Sequence, residues 1–231
     1  RRQCHPELVS GSIYPIAAPP PPNPRFRLPF SQNKQLSRRF KLVLNAIHAR
    51  RTVREFTEDP VSDSALELMI EAATWAPNHR STEPWRFIVL GKDGDMRSKV
   101  AQIVHDWTFE NVKNPNPERR EASSKEAQQE IIDAPAFMYV YSLQGRNDEV
   151  TQENYAATAC AVQNLMLAAQ SLGIGVGWST GKPCLAPVGT AIGAEPDWDI
   201  VGALYIGYPS ETQEQQSEAK RSSVNDVTIW S

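Results

Sequence analysis

The sequence predicts an α+β fold in three layers, with a central mixed or antiparallel sheet covered by helices on both faces. Three runs, 86–91, 136–143 and 200–208, are short and almost continuously apolar, which is typical of strands that are buried on both sides. Longer segments between them repeat apolar residues at helical spacing. Because strands and helices do not alternate regularly, the pattern favours this architecture over a parallel βαβ sheet.

Five segments are predicted as helices. The first starts at Leu36 and runs to the arginines near residue 50; the second begins after Ser62, a plausible N-cap, and ends before Pro77. Residues 95–110 and 118–133 are read as two helices around a polar break. The longest helix is predicted at 151–172, with one apolar side formed by Tyr155, Ala159, Val162, Leu165, Met166, Ala169 and Leu172.

The first 34 residues differ from the rest of the chain. They contain eight of its 18 prolines and no amphipathic period, so we predict a disordered Pro/Arg-rich extension at 1–34 and one folded domain at 35–231. An Arg-rich, acid-poor start is compatible with an organellar transit peptide. However, CHPELVSGSI resembles the translation of a repeat scattered through some bacterial genomes, and we favour an added upstream extension over targeting.

Charge and cysteine content exclude several classes of protein. The formal net charge is −3, but residues 1–41 hold eight of the 24 basic residues and one of the 27 acidic ones, which leaves about −10 on the remainder. Such a domain is a poor match for nucleic acid, and no apolar run is long enough to predict a membrane span. Three widely spaced cysteines predict neither a disulfide framework nor a metal site. We expect a reducing, cytoplasmic location.

A cluster of arginines at 50–54, RRTVR, needs a local reason in an acidic domain. Guanidinium groups with a hydroxyl between them make a good phosphate clamp, because arginine offers forked donors. The alternative is a solvated basic helix end, which complements the helix dipole. Spacing alone leaves both interpretations open.

Two further motifs are equally open when taken alone. The run SLGIGVGWSTG at 171–181 has glycines that permit a planar ligand to approach the backbone, but it also fits a helix C-cap followed by a strand. The turn APNHRSTEPWRF at 76–87 contains His79, which is a base, a ligand or a simple loop residue. No second ligand stands at metal-binding spacing from it.

Taken together, these motifs resemble the FMN-dependent nitroreductase family, and within it the short bacterial NAD(P)H nitroreductase branch. The similarity begins with IHARRTVREF and continues through APNHRSTEPWRF, which resembles the family's AP-(D/N)-H turn and Q-P-W-R/H-F strand start. NYAATACAVQNLMLAAQSLGIGVGW is similar to its central helix and Gly-rich strand, and WSTG stands where this branch has W-R-S-G. The resemblance covers about residues 42–231.

The resemblance implies a set of cofactor contacts at matching positions. The FMN phosphate and ribityl chain would be held by the first motif and a late arginine, and the flavin by the turn and the W-R-S-G segment. The implied FMN contacts are Arg50, Arg51, Thr52, Arg54, His79, Glu83, Trp178, Ser179, Thr180 and Arg221. Nicotinamide cofactor binding is implied for the end of the central helix, at Ala168, Ala169, Gln170, Ser171, Leu172 and Gly173.

Two positions depart from the family pattern. Ser179 stands where the branch often has arginine, which removes a donor near the flavin. Glu83 stands where many members have glutamine, and an ionised carboxylate accepts hydrogen bonds but cannot donate one. Beside a reduced, anionic flavin, a carboxylate would also be repulsive.

The resemblance also implies a reaction and an assembly. It implies an intertwined homodimer with FMN at the interface, for which the helix at 151–172 is our interface candidate. Electrons would pass from NADH or NADPH to a small acceptor, such as a nitroaromatic or a quinone, by ping-pong hydride transfer through flavin N5, with no catalytic side chain. The alternatives are a related flavoenzyme with another reaction, such as dehalogenation, dehydrogenation or flavin consumption, and a flavin-binding protein without reductase activity.

Overall fold

The computed structural model describes residues 38–92, 94–211 and 221–230, and side chains from residue 42 onward. The chain divides into two units, Ser37–Gln216 and a smaller one formed by residues 1–36 and 217–231. In the smaller unit, the described segment contains a short 3-10 helix at Val224–Val227, closed by a capping box between Ser223 and Asp226. The extension predicted at 1–34 lies outside the described residues.

A four-stranded antiparallel sheet forms the centre of the larger unit in the part of the chain that the structure describes. Its strands are β1 (Trp85–Leu90), β2 (Ala136–Leu143), β3 (Gly175–Ser179) and β4 (Trp198–Gly207), in the order β1-β2-β4-β3. The sequence predicted β2 with these bounds, and β1 and β4 within two residues at each end. The sheet is therefore antiparallel, and β1 and β3 are its outer strands.

Helices cover both faces, as predicted. On one face, α2 (Asp63–Thr74) and α5 (Asp148–Ser171) pack against the sheet, and α1 (Arg38–Ala49) contacts α5. On the other face lie α3 (Asp95–Asn111), α4 (Pro117–Asp133) and two short helices, α6 (Lys182–Leu185) and α7 (Gly189–Ile192). Side chains alternate along β2, with Met138 in one hydrophobic core and Tyr139 in the other. This arrangement gives three layers.

The helix starts follow from local sequence. Ser62 accepts a hydrogen bond from the Ala65 amide, which confirms it as the N-cap of α2. Asn147 caps α5 in the same way by accepting from Val150. No helix among the described residues is both long and apolar enough to cross a membrane.

The interface expected at α5 stays a prediction. Part of the apolar side of this helix packs against the sheet of its own protomer, with Val162 and Leu165 fully buried. Tyr155, which the sequence placed on the same side, is exposed, and so are Ala156 and Cys160. More apolar surface is exposed on α1, where Val43 is 58% and Ile47 43% accessible.

Candidate cofactor-binding site

The arginine segment 50–54 is fixed along the outer edge of β3. α1 ends at Ala49, and Thr52 then forms an isolated parallel bridge to Val176, supported by a 3.2 Å hydrogen bond from the Val53 amide to the Val176 carbonyl. Val53 is buried and serves as the anchor of the segment. Its neighbours Thr52 and Arg54 are exposed, so this backbone presents them away from the core.

Glycines in the 171–181 run allow another segment of the same chain to pack closely against β3. A Cβ atom on Gly175 would lie 2.5 Å from the Val53 side chain, and one on Gly177 would overlap the Val53 carbonyl oxygen. Gly173 takes the left-handed conformation, with φ of 72°, that ends many helices. The C-cap and strand interpretation of this run is therefore the one that the structure supports.

The arginines of the segment have different environments. Arg51 turns back on the helix end, where its Nη1 donates to the carbonyl of His48 and, at 3.0 Å, to that of Arg50. This is the helix-end role that the sequence left open. Arg50 is half-buried, and Arg54 is exposed and faces a cavity. Arg51 is therefore bonded to the helix end, and Arg54 faces the cavity.

The cavity has a volume of about 660 Å³ and lies between the arginine segment, α4 and the end of β4. This size falls in the range of small-molecule sites. Its floor includes Phe56 and Tyr205, and one face of α4 contributes acidic and amide side chains. The described lining residues are Arg54, Glu55, Phe56, Glu126, Gln129, Glu130, Asp133, Ala134, Tyr205 and Ser210.

The carboxylates give this cavity an acidic wall, which the sequence analysis missed. Burial raises the pKa of Glu130, and repulsion from Glu126 adds to this effect, while Arg54 and Lys182 oppose it. The spacing of residues 126, 130 and 133 on a predicted helix was a usable signal, because it places them on one face. Only the tertiary structure shows that this face meets Arg54.

The end of β3 holds Trp178, Ser179 and Thr180. The Trp178 indole is half-buried and donates from Nε1 to the Val201 carbonyl at 3.1 Å, in a space that exists because position 202 is glycine. The Ser179 hydroxyl accepts from the Gly181 amide at 3.3 Å. Thr180 is exposed. Trp178 and Ser179 belong to the strand that Thr52 and Val53 contact, and Thr180 follows it, so all three lie at the same edge of the sheet.

The turn before β1 is held by α5. The His79 Nδ1 atom lies 2.8 Å from one carboxylate oxygen of Glu153, and Arg80 Nε donates to the other oxygen at 3.3 Å. These contacts lower the pKa of Glu153, with the His79 hydrogen bond as the largest cause. Glu153 is 74 positions from His79 along the chain, and the sequence carried no signal for this pairing.

The same turn contains three non-glycine residues with positive φ, namely Arg80 (66°), Ser81 (52°) and Glu83 (44°). Such conformations are uncommon outside glycine and are found preferentially at functional sites. Glu83 is exposed, and its carbonyl accepts a 3.1 Å hydrogen bond from Arg86. The turn is thus fixed by its surroundings, and its shape does not follow from local preference.

The two groups of predicted contacts lie far apart in one protomer. The turn leads into β1 and the arginine segment lies beyond β3, so four strand spacings of ~4.8 Å, or ~19 Å, separate them across the sheet. Along the strands, Thr52 is level with Ile206 and Trp85 with Asp199, a further ~23 Å at ~3.3 Å per residue.

Two other predicted sets stay predictions. Residues 168–173 form the C-terminal end of α5, where the Leu172, Gly173 and Ile174 amides bond back to carbonyls of the last turn. The negative end of a helix dipole does not favour phosphate groups. Nicotinamide binding by residues 168–173 stays a prediction. Arg221 is exposed and belongs to the smaller unit, and its phosphate contact also stays a prediction.

These features belong to a known class of proteins. The chain matches the model of the nitroreductase family over residues 47–208. The match spans the arginine segment, the turn and all four described strands. The chain is therefore a member of the nitroreductase family, as the sequence motifs predicted.

Individual relatives agree with this assignment. The Bacillus subtilis protein named Putative NAD(P)H nitroreductase YfhC is 30% identical over 80% of this chain and 92% of its own length. The 5,6-dimethylbenzimidazole synthase of Rhodospirillum rubrum is 29% identical over 70% of this chain and 79% of its own. A nitroreductase-family protein from Desulfovibrio desulfuricans, solved in complex with FMN, is 25% identical with a TM-score of 0.62, covering 82% of this chain and 96% of that one.

Proposed function

We propose that this protein is an FMN-dependent oxidoreductase that transfers electrons from NADH or NADPH to a small acceptor such as a nitroaromatic or a quinone. The observation that carries the proposal is the arginine segment, which Val53 anchors beside β3 next to a cavity of about 660 Å³. A solvated basic helix end does not need a buried anchor, close-approach glycines and an adjoining cavity.

The described residues fit a bound FMN in part of this region. Arg50, Thr52 and Arg54 offer charged and hydroxyl donors on one fixed backbone, which suits a phosphate and a ribityl chain. FMN, when bound, supplies the hydride-accepting ring. The acidic wall of the cavity would repel the negatively charged phosphate of FMN. We therefore place the phosphate on the Arg50 and Thr52 side, away from Glu126 and Glu130.

We further propose that the active form is a homodimer in which the turn of one protomer completes the site of the other. His79 and Thr52 lie at opposite corners of the sheet, so one flavin contacts both motifs only if two protomers contribute. Exposed apolar side chains on α1, Leu42, Val43 and Ile47, are 59%, 58% and 43% accessible and offer a surface for association.

In this arrangement the protein binds and orients, and supplies no nucleophile. The arginine segment holds the phosphate end. The turn of the partner protomer brings His79 and Glu83 to the ring, where their polar atoms influence the stability of the reduced state. FMN held in this way would supply the two electrons and the proton that the acceptor takes up.

Two observations on the purified protein test this function. A yellow protein with an FMN spectrum is expected, and anaerobic addition of NADPH or NADH should bleach it. Subsequent addition of a nitroaromatic or a quinone should restore the oxidised spectrum. Bound flavin that neither nucleotide reduces would contradict the reductase assignment, and a colourless protein that FMN cannot reconstitute would contradict flavin binding itself.

A second candidate keeps the flavin and changes the reaction. The relative named as a 5,6-dimethylbenzimidazole synthase motivates it, since the family tolerates other chemistry. Consumption of the flavin ring, monitored by chromatography after the flavin is reduced in air, would identify such an activity. Intact flavin after many turnovers would exclude it.

A further inference from the structure

The contact between α5 and the 76–87 turn carries an inference about the site. Glu153 uses both carboxylate oxygens on two consecutive residues, His79 and Arg80. The next residue, Asn154, is 4% exposed, and its Oδ1 lies 2.8 Å from the Thr82 hydroxyl. Two adjacent helix residues therefore hold both sides of the left-handed pair Arg80 and Ser81.

The second contact explains how the turn keeps its shape. Asn154 donates from Nδ2 to the Leu143 carbonyl at 3.0 Å, which ties it to the end of β2. The Thr82 hydroxyl also lies 3.0 Å from Asn78 Oδ1, and the Thr82 amide donates to that oxygen at 3.3 Å. Asn154 thus fixes the backbone of the turn, whereas Glu153 contacts its side chains, those of His79 and Arg80.

Glu153 acts on the imidazole of His79. An ionised carboxylate only accepts hydrogen bonds, so a partner at 2.8 Å must present a proton on Nδ1. This contact fixes the tautomer and the ring orientation, and it directs Nε2 away from Glu153. The same carboxylate accepts from Arg80 and holds that guanidinium beside the ring.

We propose that Glu153 is a positioning residue of the flavin site, which orients His79 and Arg80 toward the cofactor held by the partner protomer. This inference rests on the proposed function, because it takes His79 to be a flavin contact. Surface ion pairs usually contribute little stability. A carboxylate shared by two residues of a turn with unfavourable φ values is better explained by the orientation that it imposes.

The test uses the full-length protein reconstituted with FMN and the variant Glu153→Gln, which keeps the shape and removes the charge. Glu149→Gln is the matched control: Glu149 lies one helical turn earlier, is 71% exposed, and lies 3.8 Å from the Arg80 guanidinium. Three quantities are measured: the FMN dissociation constant, the midpoint potential of the bound flavin, and the His79 tautomer by nitrogen-15 NMR.

Glu153→Gln should raise the FMN dissociation constant about tenfold, the lower end of the effect that removal of an orienting partner has at metal sites. It should also change the midpoint potential and convert His79 from one tautomer to a mixture. The control should stay within about twofold of the wild type. In a background that carries both His79→Ala and Arg80→Ala, Glu153→Gln should add no more than about a twofold further loss of affinity, because its effect passes through these two side chains.

The outcomes separate the two proposals. If the wild type binds and turns over FMN while Glu153→Gln retains its affinity, potential and tautomer, the positioning role is wrong and the proposed function stands. If the variant loses flavin only in proportion to a loss of folded protein, the role is structural and the inference fails. If the wild type binds no FMN, both proposals fail.

Discussion

The backbone carbonyl of Val53 lies against Gly177, so closely that a Cβ atom at position 177 would overlap it. An alanine at position 177 therefore has to displace the arginine segment from β3. We expect Gly177→Ala to lower the free energy of unfolding by about 1–3 kcal/mol, as overpacked sites do, and to weaken FMN binding. Chemical denaturation and flavin titration measure the two effects.

The matched control for this substitution is Gly91→Ala. A Cβ atom there would meet no atom within 4 Å, so stability and flavin affinity should remain close to those of the wild type. If both variants bind FMN equally well, the segment beside β3 does not shape the cofactor site.

Substitutions of Arg50 and Arg51 distinguish phosphate binding from a contact with the helix end. Arg50→Ala should weaken FMN binding by about 1.5–3 kcal/mol, the value of a charge-assisted hydrogen bond. Arg51→Ala should cost less flavin affinity, because its Nη1 is already bound to the carbonyls of His48 and Arg50. Equilibrium dialysis with FMN compares the two variants. Equal losses would show that Arg51 leaves the helix end to bind the phosphate.

The exposed apolar side chains of α1 predict the surface of association. Val43→Glu places a charge on a residue that is 58% accessible in the protomer, so it should leave folding intact, raise the dimer dissociation constant at least about tenfold, and release FMN. Sedimentation velocity measures the dimer dissociation constant, and the flavin spectrum measures the release of FMN. Leu185→Glu, at a residue that is 61% accessible on α6 in the other layer, is the control. A dimeric, yellow Val43→Glu protein would move the interface elsewhere.

Glu130 provides a prediction about pH. Burial first, and then Glu126, raise its pKa above the usual 4.5. A carboxyl whose pKa is higher in the folded state weakens the fold at neutral pH, and this penalty is lost as the pH falls to the unfolded-state value. Glu130→Gln should therefore stabilise the protein at pH 7, by at most about 1 kcal/mol because the side chain is partly exposed. The gain should disappear near pH 4 in denaturant titrations. A stability gain that is the same at both pH values would show that it does not arise from the charge of Glu130.

Sequence reasoning succeeded where short-range physics decides the outcome. The apolar run that forms β2 and the Ser62 cap of α2 depend on neighbours within a few residues, so their patterns were sufficient. The apolar side of α5 was also recognised, but periodicity shows that a helix face must be covered and not what covers it, so the pattern did not show that Val162 and Leu165 pack against the sheet of their own protomer. Likewise, nothing local links Glu153 to His79, whose pairing depends on the packing of α5 against the turn.

Glu83 carries the last prediction. It stands in the turn with φ of 44°, and its side chain is exposed in the protomer, so a partner flavin would meet an ionised carboxylate. Two unit charges 4 Å apart interact by about 1 kcal/mol in water and more at a protein surface. Glu83→Gln should therefore raise the midpoint potential of bound FMN by at least about 20 mV for two electrons, as measured by dye equilibration. Arg86→Gln, which removes the guanidinium that donates to the Glu83 and Trp85 carbonyls, serves as a comparison for altered turn geometry without loss of the carboxylate. An unchanged potential in Glu83→Gln would place this carboxylate away from the ring.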